Sequence, residues 1–389
     1  LPKEKEIGIG IIGYGIGRVH AHAWKNLPLF YSDLGSTPRL EAFCARDPAK
    51  RAEMGETFGF AKTYADWRDL VRDPEVQVVD NCAPPNLRVD VCEEAAKLGK
   101  AIFCEKPLAR NTEEAYEMYR TVSKFNTVSM AGFTVRFAPA VMLAKEMIET
   151  GRLGKIFNIR CCYMNIESGF NGYLDPNHPF HWHFDKNVAG NGAISDLGSH
   201  VLDMAYYLLG DVTEVCGATE TVVHERPSQE DSSKMIAVTV DDVAVAALKF
   251  KSGALGVIDS SWMAAGKKDF FYFEVHGSEG SIRFNFERLA ELEVYLKDSS
   301  PEIGGFRTVL VTSKNHPRMD KFWVDQGGGF AWNHLFVVEL KDFLDNITMN
   351  SSDNAGIPTF RDGYINTLLI DSIVESNNTG RWVKVEPKP

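Results

Sequence analysis

The chain of 389 residues is 44% hydrophobic, enough to fill two domains with cores of their own. Its formal net charge of -11, with acids and bases interspersed, leaves no basic stripe for nucleic acid or an anionic membrane surface. No apolar run reaches the length of a membrane span and no signal-peptide pattern opens the sequence, so neither a nucleic-acid nor a membrane partner is expected.

In chain order, residues 7–12 read as a strand and 20–26 as helix, 40–45 as a strand and 48 to about 58 as helix. A strand at 76–82 leads through Ala83-Pro84-Pro85-Asn86 into a helix at 89–98. A strand at 101–104, a helix at 112–124 and a strand at 128–133 follow. This βαβα rhythm predicts a parallel sheet covered on both faces. After a helix at 139–149 the pattern changes to long alternating strands at 156–165, 236–250, 254–261, 270–276, 280–284 and 292–295. One helical stretch at 194–209 interrupts them, and two helices near 332–346 and 362–376 close the chain. The expected class is α/β, with residues 1–134 a dinucleotide-binding domain and 135–389 an α+β domain around a large, mostly antiparallel open sheet. The seven cysteines form no C-x-x-C pair, and several lie in apolar runs, a pattern of buried free thiols in a reducing, cytoplasmic compartment.

The first strand carries more glycines than one phosphate loop needs. Gly8-Ile-Gly10-Ile-Ile-Gly13 matches G-x-G-x-x-G, but Gly8 and Gly10 fall inside the strand, where they are expected to permit close packing. Gly13, Gly15, Ile16 and Gly17 occupy the turn between strand and helix, as a Rossmann fingerprint requires, and are expected to meet the pyrophosphate. The third glycine of this set comes one place early, with Arg18 where it normally packs helix against strand, which predicts a tightened loop and an altered helix register. Strand two ends Ala45-Arg46-Asp47, with alanine where the ribose-binding acid of an NAD enzyme is expected. Arg46 suits a 2′-phosphate, whereas Asp47 can turn to the ribose or cap the next helix, so NAD and NADP both stay open as cofactor.

Glu105-Lys106-Pro107 puts a lysine just beyond the carboxyl end of a predicted parallel strand, the edge where open α/β sheets bind ligands. Further on, Ala189-Gly-Asn-Gly-Ala-Ile-Ser-Asp196-Leu-Gly-Ser-His200 leads through glycines into a predicted helix, with Asp196 and His200 spaced to share one face. Together these two signatures resemble the glucose-fructose oxidoreductase/inositol dehydrogenase/MocA family, and the resemblance runs over nearly the whole chain. It implies an N-terminal Rossmann domain with a C-terminal α+β domain, and hydride transfer between a secondary hydroxyl of a sugar, glycoside or cyclitol and NAD(P). It also implies Lys106 hydrogen-bonded to the reacting hydroxyl, His200 as general acid/base, and Asp196 orienting substrate or imidazole. A histidine suits proton removal near neutral pH while hydride leaves the same carbon.

Departures from the family pattern are as informative. After strand four the usual T-P-N-x-x-H reads Ala83-Pro84-Pro85-Asn86-Leu87-Arg88, so contacts of this cofactor-lining segment do not carry over in detail. Ala83, Pro84 and Glu105 are still expected beside the cofactor, and Arg136, in a stretch where Thr134 replaces a common asparagine, beside the substrate. His178, His181 and His183 crowd around Trp182 just before the Asp196 helix. No cysteine or aspartate at ligand spacing completes a metal site, so no metal is expected, and Trp182 with His183 reads as a sugar platform. The segments 273–281 and 305–308 resemble the pyranoside-oxidising branch of the family, which favours a pyranoside with C3 the preferred position. Two other readings stay open: a tightly bound cofactor recycled in place, and a sugar-sensing regulator without turnover. A sheet with one face free of helices is expected to form a homodimer or homotetramer.

Overall fold

The structure, a computed structural model, describes residues 6–166, 172–297, 300, 302–319, 327–349 and 357–389. The chain divides into two compact units, the first made chiefly of Leu1–Phe137 and Ala331–Tyr364, the second of Ala138–Asp320 and Ile365–Pro389.

The first unit begins β1 (Glu6–Ile12), α1 (Gly17–Phe30), β2 (Thr37–Cys44), α2 (Pro48–Phe58), β3 (Lys62–Tyr64) and α3 (Trp67–Arg72). It continues β4 (Val78–Asn81), α4 (Pro85–Lys97), β5 (Ala101–Glu105), α5 (Thr112–Lys124) and β6 (Ser129–Gly132). The six strands run parallel in the order β3-β2-β1-β4-β5-β6. Strand order reverses between β1 and β4, which opens the crevice where such sheets bind ligands. Residues 7–12 are all buried, as a strand covered on both faces must be. A Cβ on Gly8 would lie 1.9 Å from the Glu75 carbonyl oxygen, and one on Gly10 2.7 Å from Leu70 Cδ2, so both glycines serve close packing. Pro85 occupies the first turn of α4, where its missing N–H costs nothing, and the helix starts four residues before the predicted 89. The short β3 and α3 carry too few residues for a periodic signal, and nothing in the sequence marks them.

The second unit opens with α6 (Pro139–Glu149), β7 (Ile156–Asn165), α7 (Lys186–Ala189), α8 (Ala193–Asp196) and α9 (Gly198–Leu209). Its strands continue as β8 (Val212–Glu220), β9 (Glu225–Pro227), β10 (Met235–Ala237), β11 (Val243–Phe250), β12 (Leu255–Ser261), β13 (Asp269–Gly277), β14 (Gly280–Asn285), β15 (Glu291–Leu296) and β16 (Arg307–Leu310). Last in the chain come α10 (Trp332–Thr348), which belongs to the first unit, then α11 (Phe360–Thr379) and β17 (Val383–Lys384). Among the described residues, nine strands form one sheet in the order β16-β15-β14-β13-β7-β12-β11-β8-β17, antiparallel except for β7 with β12. In β11 and β12, Ala244, Ala246, Leu248 and Ile258 are buried while Val245, Leu255 and Val257 alternate with them to solvent.

Two sequence expectations need correction. The strand predicted over 236–250 is broken into β10 and β11, because Asp241 and Asp242 between them turn their carboxylates to backbone N–H groups. Asp241 accepts from Gly192 and Ile194, and Asp242 from Val222 and Val223. The helix predicted over 194–209 is two helices, α8 and α9, joined at Leu197. There the Ser199 hydroxyl donates to the Asp196 carbonyl at 3.0 Å, and the His200 N–H bonds Leu197 O instead. Asp196 and His200 therefore sit on successive helices and not on one continuous face.

In the first unit α10 packs against α1 and the turn Thr134–Phe137. Phe336 of α10 lies 5.2 Å from the His20 ring, and Phe343 lies 5.7 Å from Phe103 on β5. Burying these rings is worth roughly 1.5–3 kcal/mol each, and it fixes α10 over the β4–β5 region of the sheet.

Candidate active site

In the turn after β1, Gly13 adopts φ +106°, and a Cβ there would lie 2.4 Å from Cys82 O, so only glycine fits. Gly15 is exposed, with no atom within 4 Å of where its Cβ would stand. α1 starts at Gly17 behind Ile16, and neither a capping side chain nor a first-turn acid blocks its N-terminus. The positive end of the helix dipole and its N–H groups are left for an anion. Gly17, whose Cβ would sit 3.1 Å from Ile11 Cγ2 and 3.7 Å from Cys82 Cβ, fills the helix-packing role. Position 18, expected to hold it, points outward: Arg18 is 3.7 Å from Glu53, and its guanidinium lies 5.3 Å from the Tyr14 ring. The helix has moved one residue forward to meet the early glycine.

At the end of β2, Asp47 caps α2, accepting from Ala49 N at 2.8 Å. Arg51 holds the carbonyls of Ala45 and Arg46 at 2.7 and 2.8 Å, and the Arg46 side chain is left exposed beside them. The open glycine turn, the uncapped helix end and a carboxyl-edge crevice together fit a dinucleotide.

Beyond β5, Lys106 is half-buried and joined to Pro107 by a cis peptide bond. Its backbone N–H bonds Glu105 Oε2 at 3.0 Å. Arg88, where the family motif has histidine, is buried and donates to Ala83 O at 2.8 Å, to Glu105 O at 2.7 Å and to Pro107 O. One guanidinium thus ties the segment after β4, which holds Ala83 and Pro84, to the carbonyls on both sides of Lys106. Its planar fork suits three fixed acceptors better than an imidazole would. Arg136 lies buried in the turn Thr134–Phe137, 3.8 Å from Asp362 and over the Phe133 ring.

In the second unit Asp241 accepts from Gly192 N and Ile194 N, both at 2.8 Å, and fixes the start of α8. A Cβ on Gly192 would fall 1.8 Å from Asp241 O, which accounts for the glycine-rich lead. Burial pushes the Asp241 carboxyl up to about 6, against the two N–H donors that pull it down. Asp196, at the end of α8, accepts from Trp262 Nε1 at 3.1 Å, and His200 on α9 packs edge-on to Tyr163 with ring centroids 5.6 Å apart. Asp196 and His200 are both half-buried. The loop before α8 stacks Trp182 on His183 with ring centroids 3.6 Å apart, leaving Trp182 exposed. His181 Nδ1 is 3.3 Å from His183 Nδ1, while His178 Nδ1 turns to the Pro179 carbonyl. Burial and the neighbouring His183 and His178 push His181 down to about 3, so its ring stays neutral. His178 and His181 pack against Tyr173 and Phe184, while His183 packs edge-on to His181 and Trp262.

Trp262, Tyr173, Tyr163 and Asp241 escaped the sequence reading, because each lies in a strand or loop remote from the Asp196–His200 signature. Only the paired aspartates at 241–242, inside an otherwise apolar run, marked a polar task.

Residues 7–133 match the oxidoreductase family with NAD-binding Rossmann fold, and residues 141–283 match the GFO/IDH/MocA C-terminal domain. The chain is 36% identical to levoglucosan dehydrogenase of Pseudarthrobacter phenanthrenivorans over 393 residues, 98% of each protein. It is 30% identical to myo-inositol 2-dehydrogenase of Thermotoga maritima over 379 residues, 97% of this chain and 98% of that one. Its fold matches a structure of levoglucosan dehydrogenase in complex with NADH and L-sorbose, with TM-score 0.92 and 36% identity over 99% of this chain and 100% of that one.

Proposed function

The chain belongs to the glucose-fructose oxidoreductase/inositol dehydrogenase/MocA family of oxidoreductases, and on that premise we propose that it oxidises a ring hydroxyl of a pyranoside, C3 the favoured position. It is an NAD-dependent dehydrogenase of sugars or cyclitols. The observation that carries the pyranoside reading is full-length similarity to levoglucosan dehydrogenase, together with an exposed Trp182–His183 pair of the kind that meets sugar C–H and hydroxyl groups.

Bound NAD supplies the hydride acceptor. The Lys106 ammonium hydrogen-bonds the reacting hydroxyl and favours the alkoxide that develops as the C–H bond breaks. His200 takes the hydroxyl proton, and in the reverse direction returns it. Asp196, held by the Trp262 indole, orients the substrate or the imidazole. Arg136, Trp182 and His183 contact the remaining sugar hydroxyls. Gly13, Gly15, Ile16 and Gly17 take the pyrophosphate, Ala83, Pro84 and Glu105 line the nicotinamide side, and exposed Arg46 meets the adenosine ribose or its 2′-phosphate.

A sensing regulator would have no use for Lys106, Asp196 and His200 together, so turnover is the better reading. The apolar residues Val245, Leu255 and Val257, exposed on the large sheet, support assembly as a homodimer or homotetramer. Among the described residues no helix is long and apolar enough to cross a membrane.

A screen of levoglucosan, other pyranosides and inositols against NAD and NADP, followed by absorbance of the reduced nicotinamide, tests the reading. Oxidation of a pyranoside that is lost in Lys106→Ala and His200→Ala is expected; undiminished oxidation by either variant would overturn the assignment. Nucleotide that co-purifies and turns over without release would favour recycling in place.

A further inference from the structure

Behind the Lys106 turn the first unit buries a cluster of ionisable groups that no step of the reaction uses. Glu105 holds the Lys106 N–H with Oε2 and meets His20 Nε2 with Oε1 at 3.1 Å. The other nitrogen of His20 lies 3.0 Å from both oxygens of Asp80, and Asp80 also accepts the Trp24 indole N–H at 2.9 Å. Gly132 makes the room, since a Cβ there would lie 2.8 Å from Glu105 Oε1. α10 brings a third acid against this cluster. Glu339 is wholly buried, and among the described residues neither of its carboxyl oxygens has a hydrogen-bond partner.

Two buried carboxylates, Asp80 and Glu105, share the single imidazole of His20, and a third buried carboxyl, Glu339, stands beside them. Burial opposes a charge on His20, yet the adjacent Asp80 carboxylate overrides it and holds the imidazolium well above its usual range. Asp80 and Glu105 both hydrogen-bond that cation, whereas Glu339 faces it without a hydrogen bond and has only the neutral Thr134 hydroxyl as a neighbouring donor. The groups facing it are Glu105 on β5, Asp80 on β4, His20 on α1 and the Thr134 hydroxyl in the turn after β6. Cys82, beside His20 and Asp80, is kept as the neutral thiol by burial and by Asp80. A second uncompensated anion in such surroundings is strongly disfavoured.

We propose that Glu339 is a positioning residue of this dehydrogenase, carrying a proton behind Glu105 so that the Glu105 carboxylate, shared only with His20, stays seated on the Lys106 main chain. When Glu339 loses that proton its charge repels Glu105, and the Lys106 turn loosens. Burial first, and the Glu105 charge second, hold the Glu339 carboxyl well above the ordinary range, in keeping with this. The inference rests on the reading of Lys106 as the residue that binds the reacting hydroxyl.

The sign of the linkage makes the proton measurable without substrate. An acid whose folded pKa exceeds its unfolded value contributes stability that is present at low pH and lost as pH rises through the folded value. The wild-type thermal midpoint should therefore fall relative to that of Glu339→Gln as pH rises above the ordinary glutamate range. In the same series the variant should keep kcat within about twofold at the optimum, while its activity persists further into the alkaline range. Glu339→Met, uncharged and of similar length, should behave alike and serves if the glutamine variant does not fold. Parallel midpoint curves would overturn the bound proton. Diverging midpoints with unchanged kcat profiles would overturn the positioning role. Neither result depends on Lys106→Ala, whose retained sugar oxidation would instead refute the functional reading.

Discussion

Trp262 donates its indole N–H to Asp196 Oδ2 at 3.1 Å, from a strand end more than sixty residues further along the chain. The ring itself is 1% exposed and packs with Tyr173, Phe184 and Leu197, so its position is set by the core and not by the hydrogen bond. Trp262→Phe should keep most of this packing and remove only the donor. We expect a stability loss of about 1 kcal/mol and a fall in kcat of about ten- to a hundredfold as the carboxylate loses its fixed direction. An unchanged kcat would show that Asp196 needs no orientation from Trp262.

Arg88 is tied to three backbone carbonyls around Lys106, and its substitution separates positioning from charge. Lysine retains the cation but cannot span Ala83 O, Glu105 O and Pro107 O with one planar fork. Arg88→Lys should leave at least one buried carbonyl unmet, costing about 1–3 kcal/mol, and should lower kcat more than it raises the KM for sugar. Denaturant unfolding and steady-state kinetics on the same preparation check both. Full activity with lowered stability would confine Arg88 to a structural role.

The βαβ order, the glycine turn and the Glu105-Lys106-Pro107 turn are legible in the sequence because each is a local signal: periodicity, a left-handed glycine, a lysine at a strand end. The early Gly17 predicts an altered register for α1, but its packing against Cys82 is not legible, since that partner lies more than sixty residues further along the chain. Nor is the break between α8 and α9, because Leu197 keeps helical backbone angles and only a side-chain bond from Ser199 interrupts the ladder. Glu339 was out of reach for a different reason. It returns to β5 from α10, more than two hundred residues later, and on a helix a glutamate at a core position looks like one at the surface until its neighbours are known.

The two glycine sets predict opposite phenotypes. Gly15→Ala adds a methyl group to open space, so the thermal midpoint should hardly move, while the Kd for NAD should rise as the backbone loses its close approach to pyrophosphate. Gly8→Ala would drive Cβ to 1.9 Å from the Glu75 carbonyl oxygen, which is backbone and cannot step aside. It should destabilise the first unit by several kcal/mol, beyond the ~1 kcal/mol scale of an ordinary substitution. Calorimetry with and without NAD distinguishes them. A Gly15→Ala protein that unfolds early but binds NAD normally would reverse the assignment of the two sets.

Asp241 gives the second unit a pH signature of its own. Its folded value of about 6 lies above the ordinary aspartate value of 3.8, with burial as the leading cause. Stability from this group is thus complete below about pH 4 and lost by the time pH has risen past about 6, a difference of about 3 kcal/mol at about 1.4 kcal/mol per unit. The amide introduced by Asp241→Asn cannot titrate, and it presents an N–H₂ to one of the two backbone donors, from Gly192 and Ile194, that the carboxylate accepts. Asp241→Asn should therefore be the less stable protein in acid, and the gap should narrow as pH rises from about 4 to about 7. Urea midpoints across that window measure the gap directly. A constant difference would mean that Asp241 is already ionised throughout, held so by the two N–H groups at the head of α8.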